Sequence, residues 1–153
     1  MAYPFRTILK PMQFDDPELI AFQVAKQIAQ EHNATLCLLH IVPIVPAIGE
    51  PHVGVTVHAH EEDRAKKQLQ EIADQNLAGV KYQILTRVAG PTDTAKAVVQ
   101  TAREVNADLI VMKTHGRHGL AHMLMGSVTE QVVREAPCAV LTLTSAAKDR
   151  FTS

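Results

Sequence analysis

An α/β fold, Rossmann-like in kind, with a five-stranded parallel sheet and helices on both faces, is predicted by three features of the 153-residue sequence. Five short runs of strand-forming residues alternate with stretches whose apolar residues recur at helical spacing, the pattern of successive strand–helix units. The second run, Thr35-Leu-Cys-Leu-Leu-His-Ile-Val42, is nearly all apolar, which suits a strand covered on both faces. The fourth, Leu109-Ile-Val-Met112, leads through a glycine-containing stretch to a helix start at Ser127. Right-handed crossovers leave few topologies for such a chain. Ligands of these sheets bind beyond the carboxyl ends of the strands, where the strand order reverses.

In chain order, Phe5 to Lys10 reads as the first strand, ended by Pro11. Asp16 is expected to cap a helix that has Pro17 at its first position, where a missing N–H costs nothing. Ile20, Val24 and Ile28 follow at helical spacing, and His32-Asn33 marks the end. Pro43 to Val57, with three prolines and two glycines, is expected to be a long exposed loop. His60 to Gln75 is highly charged, but Ala65, Leu69, Ile72 and Ala73 repeat as in an amphipathic surface helix. Val80 to Val88 alternates like a strand, and Gly90-Pro91 turns the chain. Thr92 or Asp93 then caps a helix carrying Ala95, Val98, Val99, Ala102 and Val105. The helix from Ser127 closes before Pro137, Ala139 to Leu143 forms the last strand, and Ser145 to Ser153 is a polar tail. Residues 1–153 read as one domain without internal repeats.

Composition narrows the function classes. Apolar residues are 46% and charged residues 20%, as in an ordinary globular protein. A formal net charge of −1 gives no general attraction to nucleic acid or an anionic membrane. Met1 to Arg6 has no apolar run of the signal-peptide kind, and no stretch is long and apolar enough to span a bilayer. Cys37 and Cys138 fall in or beside strands and read as buried free thiols rather than as a disulfide or nucleophiles. Together these features place the chain in the cytoplasm.

The chemistry concentrates between Leu109 and Glu130. Here an apolar strand breaks into a loop with Gly116 and Gly119, then reaches Gly126-Ser127. Ser127 with Glu130 three residues on forms a capping box that starts a helix. Strand, glycine loop and helix N-terminus together hold an anion, because free backbone N–H groups and the positive end of the helix dipole converge there. No G-x-x-x-x-G-K-[ST] loop, no G-x-G-x-x-G fingerprint and no nucleophile–base–orienter set is present.

This stretch resembles the signature of the universal stress proteins, whose nucleotide-binding members carry G-x2-G-x9-G-[S/T]. Gly116, Gly126 and Ser127 match its second and third glycines and its hydroxyl residue, whereas Lys113 stands at the first glycine. The resemblance runs along nearly the whole chain. It implies a five-stranded sheet whose order reverses between the first and fourth strands, with Pro11-Met12-Gln13 facing Lys113 to Gly116 across the crevice. It further implies a nucleotide site made of Pro11, Met12, Gln13, Val42, Met112, Lys113, His115, Gly116, Gly126, Ser127, Val128 and Thr129. The ligand so implied is an adenine nucleotide, ATP or a relative, with Mg2+ as a companion ion. A homodimer through Ala139 to Leu143 is implied as well.

Several positions carry more than one reading. Gly116, Gly126 and Ser127 either contact phosphate or serve only turns and a cap, and the two uses are compatible. Gln13 stands where ATP-binding members usually have Asp. It donates and accepts hydrogen bonds but lacks the carboxylate. Lys113 either points at phosphate, fills the site, or extends to solvent. His115 and His118 either neighbour the phosphates or are solvated, and Thr129 could reach a phosphate from the helix's first turn. His52, His58 and His60 with their acidic neighbours read as a solvated loop rather than a metal site. The resulting reading is a nucleotide-binding stress-response protein with at most slow ATP hydrolysis. The alternative is a dimeric interaction module of the same fold without nucleotide.

Overall fold

The computed structural model describes residues 4–14, 18–44, 51–114 and 127–144, with the backbone alone described at 18–19 and 51–58. Strands β1 (Thr7–Pro11), β2 (Thr35–Pro43), β3 (Tyr82–Ala89), β4 (Leu109–Lys113) and β5 (Ala139–Leu143) alternate with helices α1 (Glu18–His32), α2 (Pro51–Asn76), α3 (Thr94–Glu104) and α4 (Ser127–Glu135). The sheet is wholly parallel with order β3-β2-β1-β4-β5. The chain steps outward from β1 to β3, returns to the other side of β1 with β4, and ends at β5. The strand order therefore reverses between β1 and β4.

Alternation along the strands divides the core into two layers. Ile8, Leu36, Leu38, Leu109 and Val111 pack with Phe22, Ala25 and Ala29 of α1 and Leu69 and Ala73 of α2. Leu9, Cys37, Leu39, Ile110 and Met112 pack with Ala95, Val98, Val99 and Ala102 of α3 and Val132 of α4. Small residues on α1 and α3 let these helices lie close to the sheet.

The turns from helix to strand are tight. Asn33 and Asn106 adopt left-handed backbone, φ 52° and 53°. The next N–H groups reach back to close each helix, Ala34 to the Ala29 carbonyl and Ala107 to that of Ala102, both at 2.9 Å. Asn tolerates this conformation better than other side chains, and the six-to-one bond is that of a Schellman end. Gly79, φ 79°, turns the chain after α2.

Some expectations are corrected. Positions 51–57 are helical, so the loop expected from Pro43 to Val57 is shorter and α2 runs from Pro51 to Asn76. Pro51 sits at the helix start, where it is tolerated. The prolines and glycines that suggested a loop misled there, because only Gly54, a weak helix former, falls inside the helix after Pro51. Of the two caps expected for α3, Asp93 holds the position, without a side-chain cap bond. Its carboxylate lies 3.5 Å from the Lys96 ammonium. α4 does start at Ser127, but the Glu130 carboxylate of the expected capping box accepts from Arg134 at 2.8 Å. Asp16, Pro17 and the polar tail lie outside the described residues. β1 and β3 are each displaced towards the carboxyl side of the expected strands, β1 by one residue at its carboxyl end and β3 starting at Tyr82.

Candidate functional site

In sheets of this class a reversal such as that between β1 and β4 opens a crevice at the carboxyl ends of the strands. β1 and β4 pair only through Ile8↔Leu109 and Leu9↔Ile110. Beyond those pairs, β1 is drawn towards β2: Met12 N–H donates to the Leu39 carbonyl at 2.6 Å. On the other side, β4 is drawn towards β5. Thr114 donates to the Leu143 carbonyl from its N–H at 2.8 Å and from its hydroxyl at 3.2 Å. The two strands thus part where a ligand of this sheet class sits.

The residues expected there divide between wall and rim. Met12, Val42 and Met112 are buried, while Pro11 and Lys113 are half-buried and Gln13 is exposed. Ser127 is exposed as the first residue of α4, and Val128 packs partly against the α3–α4 layer. Thr129 is 1% exposed, and its hydroxyl faces the Lys113 carbonyl at 3.5 Å. This contact brings the first turn of α4, with its free N–H groups and positive dipole end, to the end of β4. Such a terminus binds anions without a cationic side chain. His115, Gly116 and Gly126, like His118 and Gly119, lie outside the described residues.

Four residues in this region were not singled out in the sequence. Lys10 is fully buried at the end of β1, and its ammonium donates to the Pro11 carbonyl. A lysine within an apolar strand is its only sequence signal. Thr114 is buried beside Lys113. His40 accompanies Met12 through a 2.9 Å contact between Nδ1 and the Met12 carbonyl. The Phe14 ring lies 4.6 Å from the His40 ring, tilted by 42°.

Both cysteines are free. Burial pushes the Cys37 thiol up to about 11. Burial, and secondarily the charge of Asp108, raises that of Cys138. Neither supplies a thiolate nucleophile near neutral pH. Among the described residues, no three His, Cys, Asp or Glu side chains converge as a metal site. Positions 58 and 60 lie on α2, where residues two apart do not share a face. No described helix is long and apolar enough to cross a membrane.

The model of the universal stress protein family matches residues 4–143. The chain belongs to the universal stress protein family. A universal stress protein of Thermus aquaticus is 36% identical over 138 residues, 90% of this chain and 97% of that protein. Another, of Methanocaldococcus jannaschii, is 30% identical over 150 residues, 95% and 85% of the two chains. Among solved structures, the universal stress protein UspA of Lactobacillus plantarum superposes with a TM-score of 0.75 at 26% identity, covering 93% of this chain and 99% of that one. Two further solved members share the fold and hold ligands. One, in complex with cAMP, has a TM-score of 0.65 at 24% identity, with 94% and 99% coverage. The other, from Archaeoglobus fulgidus in complex with dAMP, has a TM-score of 0.62 at 17% identity, with 93% and 98% coverage.

Proposed function

We propose that this universal stress protein binds an adenine nucleotide, ATP with Mg2+ in the first instance, as a regulatory ligand in a cytoplasmic stress response. The observation that carries the reading is the approach of the α4 N-terminus to the end of β4, through Thr129 and Lys113, beside the crevice where β1 and β4 part. Phosphate belongs at the α4 terminus, with the backbone around Gly116 and Gly126, the Ser127 hydroxyl and the Val128 and Thr129 N–H groups. The nucleoside belongs against Pro11, Met12, Gln13, Val42 and Met112, with His115 and Lys113 near the phosphates. The adenine nucleotides held by two solved relatives support the ligand class. The sequence offers a phosphate cradle and no nucleophile–base–orienter set, so the role we propose is binding, with any turnover slow. Mass spectrometry of ligand released from gently purified protein, followed by calorimetric titration of ATP, tests this reading. No co-purified nucleotide and no heat of binding at millimolar ATP, roughly the weak limit for a specific site, would overturn it.

A second reading, a dimeric module that does not bind nucleotide, is favoured by Gln13 and Lys113, which depart from the nucleotide-binding pattern. Both readings include a homodimer. β5 lies at the sheet edge, carries no charged side chain, and leaves Val140, Leu141 and Leu143 only half-buried. An apolar edge of this kind pairs or aggregates unless covered, and a two-fold contact between identical strands covers it. Sedimentation should show a dimer at tens of micromolar, a concentration on the order of that used for stable dimers. A monomer there would exclude the β5 interface.

A further inference from the structure

We infer that His40 is the positioning residue that holds Gln13 at the mouth of the crevice, an inference resting on the nucleotide-binding reading. Gln13 is exposed. Its two neighbours are fixed by one side chain. The carbonyl on its amino side, Met12 O, lies 2.9 Å from His40 Nδ1. The ring on its carboxyl side, Phe14, rests against the His40 imidazole at 4.6 Å. A carbonyl oxygen only accepts, so Nδ1 carries the proton and donates. The Met12 N–H is separately bound to Leu39 at 2.6 Å, so both backbone groups of residue 12 are tied to β2. His40 itself stands on β2 in register with Thr86, whose hydroxyl meets Glu62 of α2 at 3.0 Å. The imidazole therefore projects from a strand paired with β3 at His40 and with β1 up to Leu39, a rigid base for a residue that orients another. Its reach to both sides of Gln13 limits the backbone angles that set the direction of the Gln13 amide.

Three substitutions separate the contacts. His40→Asn keeps a donor near Nδ1 without the ring, His40→Phe keeps a ring without the donor, and His40→Ala removes both. A neutral hydrogen bond of this kind corresponds to about a three- to tenfold change in affinity. We expect His40→Ala to weaken ATP by that factor, His40→Asn to recover most of it, and His40→Phe to recover a part. Because the effect runs through Gln13, Gln13→Ala should weaken ATP in the native background and do nothing further in His40→Ala. In ligand-free protein, exchange of the Met12 amide, whose N–H is bound to the Leu39 carbonyl, should accelerate in His40→Ala with the thermal midpoint nearly unchanged. If His40→Ala misfolds, Phe14→Ala with the same exchange and titration measurements takes its place. Additive losses from His40→Ala and Gln13→Ala, or unchanged exchange at the Met12 amide, would overturn the positioning role. Absence of ATP binding in the native protein is a separate result that overturns the nucleotide reading, and the exchange measurement still decides whether His40 orders this segment.

Discussion

The two ends of the sheet are built by opposite rules. At the amino end, short turns return from helices to strands, with Asn33, Gly79 and Asn106 in left-handed backbone. There Asp108 ties β4 to β1, its Oδ2 accepting from the N–H groups of Arg6 and Thr7 at 2.8 and 3.0 Å. Phe5 leans on His32 of α1 at a ring distance of 5.1 Å. At the carboxyl end, β1 and β4 separate, a lysine is buried, and the α4 terminus presents its N–H groups. The lesson is a division of labour. Changes at the amino end should alter stability and leave ligand affinity alone, and changes at the carboxyl end should do the reverse.

The largest effect should come from Gly126→Val. A Cβ at a position where backbone must approach phosphate obstructs that approach, so ATP binding should be lost while circular dichroism and the thermal midpoint show a folded protein. Normal affinity in the folded variant would reduce the glycines to turn residues. Lys113→Gly comes next. If the ammonium faces phosphate, the loss of a charge-assisted contact of about 1.5–3 kcal/mol lowers ATP affinity roughly ten- to a hundredfold, less so at high salt. Tighter binding would show that Lys113 fills the site, and titration of both forms gives the sign.

Asp108→Ala tests the other end. It leaves two N–H groups without their carboxylate, at a cost of about 2 kcal/mol in unfolding free energy, measured by denaturant titration. ATP affinity should stay the same, and the Cys138 thiol should move back towards its ordinary range as the neighbouring charge is lost. The smallest effect is expected for Gly79→Ala. There is open space around a Cβ at this position, but φ is 79°, so the cost is backbone strain of roughly 1 kcal/mol. Equal losses of affinity and stability in any of these variants would erase the contrast between the ends.

The order and type of the elements were legible in the sequence because each rests on local pattern. Continuous apolar runs marked β2 and β4, Asn33 marked the end of α1, and Ser127 the start of α4. The reversal between β1 and β4 was legible through the family resemblance. What was not legible depends on contacts across the fold. The start of α2 at Pro51 contradicts local propensity. Lys10 closes the expected first strand with nothing local to mark it as buried, and only packing shows that it is. His40 reads as part of an apolar strand, and its contact with Met12, 28 residues away in sequence, and with the nearby Phe14 arises through the β1–β2 pairing.

The narrow ladder between β1 and β4 has a consequence for the way the chain assembles. β1 shares five register positions with β2 and only two with β4, and these two join residues about a hundred positions apart. The sheet is therefore two zippered sections, β1-β2-β3 and β4-β5, meeting along a short seam. Closing so long a loop costs entropy before the contacts form, and non-local pairings of this kind slow folding. The seam is therefore expected to form late in assembly. A ligand bridging the crevice joins the two sections where the polypeptide joins them least, so its binding should slow amide exchange along Ile8, Leu9, Leu109 and Ile110 more than anywhere else in the sheet.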